Sequence, residues 1–234
     1  MKTIFIEVEA NKSVIEGLEK VLPDISYKKI GLLTTVQFAR QLPKIKKFLS
    51  DKSFTVFLGK PTGSALLEGQ VLGCDVSSAL AIERKIEAFL YIGTGEFHPF
   101  GLLMKSSKPI LVFDPFTGQL TLLDEGKRKN LLKKHILELE RFKSAKVVGI
   151  LVSTKPGQYE LQMSAVKLKE KLEKLGKKAY LFICDIITNT MLLDFSHIEA
   201  WVNTACPRLV DDYFEKPVVN ALDLECLYIP KPFK

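Results

Sequence analysis

Two cysteines stand where a sheet protein would place reactive groups. Cys74 follows EGQVLG and Cys206 follows WVNTA, each a short run read as a strand that ends in a thiol. In open parallel sheets, ligands gather beyond the carboxyl ends of the strands. A thiol in that position packs as a small hydrophobe, ligates a metal or serves as a nucleophile. The other two cysteines, Cys184 and Cys226, lie in apolar, strand-like surroundings and read as packing residues. No CxxC occurs, so the zinc and thioredoxin patterns are absent. Any cluster has to be assembled from positions far apart in the chain.

A second feature is Ser153-Thr154-Lys155-Pro156-Gly157-Gln158, set between a buried strand and a helix. Such a turn directs backbone N–H groups and a helix N-terminus towards an anion, and Lys155 adds a positive charge. A carboxylate or phosphate is the fitting guest. The sequence is not GxxxxGK[ST], which argues against nucleoside triphosphate hydrolysis. Gly93-Thr94-Gly95 is a similar strand-end turn that lacks the third glycine of GxGxxG. Arg208 follows Cys206-Pro207 and offers a planar fork for a carboxylate, or a partner for Asp211 or Asp212. His98, beside the glycine turn, reads as a core or supporting histidine. His135 and His197 have no matching acid–base set. No Ser-His-Asp, HExxH or paired-carboxylate spacing stands out, so no catalytic residue is assigned.

The elements that must position these groups alternate between strand and helix. Strands are expected at residues 3–8, 29–35, 54–58, 71–73, 88–92, 110–113, 120–123, 147–152, 179–183, 200–203, 218–221 and 226–229. Helical periodicity marks 12–22, 36–49, 77–85, 97–104, 124–144 and 161–175. Pro43 should kink or break the second of these. Ser77 or Ser78 is the expected cap of the third. Strands apolar on both faces and separated by helices indicate parallel sheets covered on both sides. The fold class is therefore α/β, with two similar doubly wound domains, residues 1–123 and 124–234. Each half starts βαβ and later runs a strand into a cysteine, which suggests an internal duplication.

Composition limits the function classes. Of 234 residues, 34 are Lys or Arg and 27 Asp or Glu, giving +7, and 47% are hydrophobic. That is globular composition, not disorder. The lysines are spread through amphipathic helices, which reads as a solvated surface and not as a nucleic-acid footprint. No apolar run reaches roughly 18 residues, so no membrane helix is expected. The start, MKTIFIEVEANKSV, lacks the features of a signal peptide. A soluble cytoplasmic protein is the expectation.

Taken in order, GQVLGCD at 69–75, YIGTGEFHPFGL at 91–102, VFDPFTG at 112–118, STKPGQ at 153–158 and NTACPRLVDD at 203–212 resemble the diphthamide synthesis protein family. The resemblance covers nearly the whole chain. It implies three similar α/β domains around a cleft, each giving one cysteine to a 4Fe–4S cluster. It further implies that S-adenosylmethionine engages the cluster. A 3-amino-3-carboxypropyl radical forms, and that group is added to a histidine of translation elongation factor two. On this pattern Cys74 and Cys206 match the middle and last cluster ligands, and the two halves match the middle and C-terminal domains. Ser153, Thr154, Lys155, Gly157, Gln158 and Arg208 match segments lining the cleft, where they would bind the methionine carboxylate. The family's first domain has no counterpart in the 234 residues. The expected reading is thus one component of the enzyme, as a homodimer or heterodimer, with a separate chain supplying that domain. The alternatives are a non-catalytic accessory or binding subunit and a paralogue that keeps the fold without the cluster.

Overall fold

The computed structural model describes residues 4, 6, 8–155 and 162–227, apart from the side chains at 162–164, 211 and 225–227. Within it the chain divides into two units, Met1–Asn130 and Leu131–Lys234.

The first unit is built on strands whose side chains are apolar on both faces. They are β1 (Lys29–Thr34), β2 (Thr55–Phe57), β3 (Ala88–Ile92), β4 (Ile110–Phe113) and β5 (Leu120–Leu123), in the order β2-β1-β3-β4-β5. β3 and β4 are buried along their whole length, as central strands of a covered sheet must be. One face packs Ile30, Leu32, Leu90, Ile92, Leu111 and Phe113 against Leu18 of α1 (Ile15–Val21) and Leu42, Ile45 and Leu49 of α3 (Leu42–Asp51). The opposite face meets Ile82 and Ile86, whose side chains close over Gly31. Pro43 breaks the expected helix as anticipated, leaving α2 (Val36–Ala39) and placing Pro43 in the first turn of α3. There its missing N–H is harmless.

The second unit repeats the order. Strands β6 (Val147–Ser153), β7 (Lys178–Cys184), β8 (Ala200–Asn203) and β9 (Val218–Asn220) run parallel as β7-β6-β8-β9. Alternation along β6 separates two packing faces. Val148, Ile150 and Val152 meet Leu139 and Phe142 of α6 (Glu125–Ser144) and Ala165, Leu168 and Leu172 of α7 (Gln162–Lys174). Leu151 shares the other face with Trp201 and with Leu192 of α8 (Asn189–Leu193). Trp201 fills the space left by Gly149, where any Cβ would collide with the indole. Both faces of this sheet are covered, as expected of a doubly wound domain.

Four expectations are corrected. β5 is antiparallel to β4, because the Asp114–Gly118 turn returns the chain directly and no crossover helix intervenes. Residues 71–73 form no strand. β1 already has β2 and β3 as neighbours, and only a single bridge, Thr34 to Gln70, extends the β2 slot. The stretch 226–229 does not begin a strand: Cys226 lies in α9 (Ala221–Leu227), and the remaining positions fall outside the described residues. The expected helix at 77–85 splits into α4 (Ser77–Leu80) and a 3-10 turn at Glu83–Lys85. No serine caps α4; the Asp75 carboxylate accepts from Ser77 N–H instead, at 2.9 Å. The strand expected at 3–8 lies largely outside the described residues.

Candidate functional site

Cys74 owes its place to backbone pairing around the end of β1. Thr34 N–H donates to Gly69 O at 2.9 Å and Val71 N–H donates to Thr34 O at 2.8 Å. The Gln70 carboxamide accepts from Leu66 N–H and Leu67 N–H at 2.9 Å each, and the Ser78 hydroxyl donates to Gln70 O at 2.6 Å. The chain is thereby delivered to the carboxyl edge of the sheet without a strand of its own. Leu72 and Asp75 then exchange backbone hydrogen bonds of 2.8 and 3.2 Å. That closes a tight turn with Gly73 and Cys74 at its tip, and Cys74 is exposed.

Two contacts brace this turn. Buried Asp75 accepts from Ala65 N–H at 2.8 Å as well as from Ser77. Burial raises its pKa, but the hydrogen bonds from Ala65, Ser77 and Ser64 outweigh that and hold the carboxyl below its ordinary range. On the other side lies α5 (Phe97–Leu103), which follows the Gly93-Thr94-Gly95 turn. The Phe97 ring occupies the space that a Gly73 side chain would need, and a Cβ on Gly101 would stand 2.6 Å from Gly73 O. Gly73 leaves room for that ring, and Gly101 lets the α5 backbone approach the turn closely.

The neighbouring His98 is half-buried, with Nδ1 3.4 Å from the Tyr91 hydroxyl. Burial lowers the His98 pKa and so keeps the imidazole neutral at pH 7, and it raises that of Tyr91. This is a supporting polar pair under the glycine turn, as the sequence reading expected.

In the second unit Cys206 leaves β8, one of the two strands flanking the point where strand order reverses. Its turn is tied by two asparagines that sequence reasoning missed. The Asn203 Oδ1 accepts from Ala205 N–H at 2.9 Å, and its Nδ2 donates to Cys206 O at 2.9 Å and to Asn220 Oδ1 at 2.8 Å. Asn203 and Asn220 are register partners on β8 and β9. Leu209 N–H also donates to Cys206 O, at 3.0 Å. Cys206 itself is half-buried. Arg208 is exposed, with its guanidinium 3.9 Å from Asp212.

The 153–158 segment is only partly described. Ser153 is the last residue of β6, buried, and its hydroxyl accepts from Lys155 N–H at 3.1 Å. Thr154 N–H donates to Cys184 O at 3.1 Å. These two turn N–H groups are thus engaged within the protein, and what points outward from the described part is the exposed Lys155 side chain. Gly157 and Gln158 lie outside the described residues, as does the lead-in to α7.

Cys184 ends β7, its thiol pointing to Val152 O at 3.9 Å. Burial, with Asp185 adding to it, pushes its pKa up, which disfavours the thiolate that metals require. Among the described residues, no group of three or more His, Cys, Asp or Glu side chains is gathered as a metal site. Nor is any helix among them long and apolar enough to cross a membrane. Each unit therefore presents one thiol in a braced turn at its sheet's carboxyl edge, in a chemistry suited to soft metal centres.

A family model described as diphthamide synthesis protein matches residues 1–231. The 2-(3-amino-3-carboxypropyl)histidine synthase of Pyrococcus horikoshii is 34% identical over 96% of this chain, which spans 65% of that protein. Subunit 1 of the Kluyveromyces lactis synthase is 28% identical over 93% of this chain, which spans 51% of it. The crystal structure of Dph2 from P. horikoshii with a 4Fe–4S cluster superposes with a TM-score of 0.84 at 33% identity. That match covers 94% of this chain and 63% of the crystallised one. The chain thus spans less than two thirds of the length of these relatives.

Proposed function

The chain belongs to the diphthamide synthesis protein family, and on that premise we propose that it is a component of a 4Fe–4S enzyme of diphthamide biosynthesis. The reaction is transfer of the 3-amino-3-carboxypropyl group of S-adenosylmethionine to a histidine of translation elongation factor two. The observation that carries this reading is the pair Cys74 and Cys206, each held in a hydrogen-bonded turn at the carboxyl edge of its sheet. Their donor chemistry fits an iron–sulfur cluster. Two thiolates supply part of its ligation.

When bound, the cluster supplies the electron that breaks a carbon–sulfur bond of S-adenosylmethionine. The protein's own part is to hold its two thiols in place and to orient the methionine moiety. Arg208 suits the methionine carboxylate: its ion pair with Asp212 is long and exposed, worth little in water, and easily exchanged for a bidentate carboxylate. Lys155 adds a second positive charge on its own turn. Ser153 and Thr154 shape the described part of that turn, and Gly157 and Gln158 belong to the same cofactor-binding motif in this reading. Thiolate ligation needs a reducing compartment, which agrees with a cytoplasmic location.

Anaerobic reconstitution with iron and sulfide tests the proposal. Iron content and visible absorption are expected to fall in Cys74→Ala and in Cys206→Ala. Equal, minimal iron in wild type and both variants would remove cluster binding by this chain alone. In that event the second reading gains: an accessory subunit docking a catalytic partner, favoured by the presence of only two suitable thiols among the described residues. For Arg208→Ala, S-adenosylmethionine affinity is expected to drop about tenfold. An unchanged affinity removes Arg208 from the site.

A further inference from the structure

We propose that Asn203 and Asn220 are positioning residues for the Cys206 thiol, acting as a two-carboxamide clamp on the turn that carries it. The inference deepens the cluster reading and rests on it for its purpose, while the clamp itself stands on geometry.

A carbonyl only accepts and a backbone N–H only donates, so the partners of Asn203 orient its amide without ambiguity. The Oδ1 takes Ala205 N–H and the Nδ2 holds Cys206 O. One side chain thus grips the chain just before Cys206 and just after it. Cys206 O also receives Leu209 N–H, so both of its lone pairs are used. Pro207 follows and locks the next φ. With ψ of Cys206 held at 127°, the Cα–Cβ direction is set, and only χ1 remains to place Sγ.

Asn203 needs its own support. Its second Nδ2 hydrogen goes to Asn220 Oδ1 at 2.8 Å, and Asn220 Nδ2 reaches Pro207 O at 3.4 Å. Both asparagines are buried. A buried carboxamide is retained only with partners, since each unmet group is costly. Here those partners converge on residues 205–207. Groups behind a metal ligand that fix its orientation commonly govern metal retention.

The test measures iodoacetamide alkylation of the metal-free chain, resolved cysteine by cysteine through peptide mass spectrometry. Asn203→Asp keeps the acceptor for Ala205 and loses both donors. Asn220→Ala removes the support. Both are expected to raise the Cys206 rate about fivefold while leaving Cys74 and Cys184 unchanged. Asn220→Asp retains the acceptor for Asn203 Nδ2 and loses only the longer contact to Pro207 O, so its rate should lie closer to wild type than that of Asn220→Ala. Thr204→Val is the control for a merely structural role. It deletes a buried hydrogen bond to Leu151 O in the same turn, 2.8 Å long, that does not touch Cys206. Unchanged Cys206 reactivity in both Asn203→Asp and Asn220→Ala overturns the clamp. So does an equal acceleration in Thr204→Val. A parallel measurement on reconstituted protein expects iron loss to a chelator about tenfold faster in Asn203→Asp than in wild type. If Cys206→Ala binds as much iron as wild type, the cluster reading fails by itself, and the alkylation rates still decide the clamp.

Discussion

Asp75 is a buried carboxylate that gives up its proton more readily than usual, because the backbone N–H groups of Ala65 and Ser77 point at it. In the unfolded chain the group titrates near 3.8, and in the folded chain lower. Between those values the unfolded state binds more protons. The stability contributed by Asp75 is therefore complete above the unfolded value and is lost as pH falls through the folded one. Asp75→Asn is expected to cost about 1–3 kcal/mol at neutral pH. It should also flatten the acid limb of a urea-unfolding series; an acid limb of unchanged slope would contradict the assignment. The proposed site residues Cys74, Cys206, Arg208 and Ser153 are marked in the sequence by residue type and motif. Asn203 and Asn220 are not. An asparagine at a strand end reads as a turn former, and their partnership depends on a β8–β9 register that spans a gap of 17 residues.

Among the elements, α5 and the Cys74 turn are the pair whose spacing matters most for the site. Gly101→Ala improves helix propensity by about 1 kcal/mol but sets a Cβ against the Gly73 carbonyl oxygen, an overpacking cost of about 1–3 kcal/mol. Because the obstacle is backbone, the cost wins. A net loss of about 1 kcal/mol is expected in thermal melting, together with altered alkylation of Cys74. A higher melting point with unaltered Cys74 reactivity would show that the turn yields freely. The alternation of strand and helix was legible because doubly covered strands are apolar throughout and their helices carry a 3.6-residue period. Segments whose state depends on what lies beside them were not. Val71 and Leu72 look like a strand, yet past the short β2 pairing only the end of β1 is open to them, and a single bridge at Thr34 forms there. Cys226 to Ile229 carries strand-forming residues, yet α9 runs through the first of them. Likewise the direction of β5 follows from a short turn and not from its own composition.

At the scale of the molecule, each unit carries its own core. Trp201 is the largest fully buried side chain of the second unit, packed edge-on against Phe182 and Phe195 with centroids 4.8 and 6.1 Å away. Trp201→Ala should cost about 3–5 kcal/mol. Hydrogen exchange is expected to show lost protection in β6, β7, β8 and β9 while β1, β3 and β4 keep theirs. Equal loss in both sheets would mean that the units unfold as one. The first four strands of the first sheet and the four of the second share one order, yet their thiols do not occupy equivalent places. Cys74 lies in the crossover between the first unit's second and third strands, whereas Cys206 lies in the crossover after the second unit's third. The counterpart of Cys206 in the first unit is the stretch after β3, residues 93–109, and that of Cys74 in the second is residues 185–199. Neither stretch contains a cysteine. If one ancestral gene segment was copied to make both halves, it passed on a scaffold and not a cysteine. On that premise the two thiols arose separately, each in its own crossover.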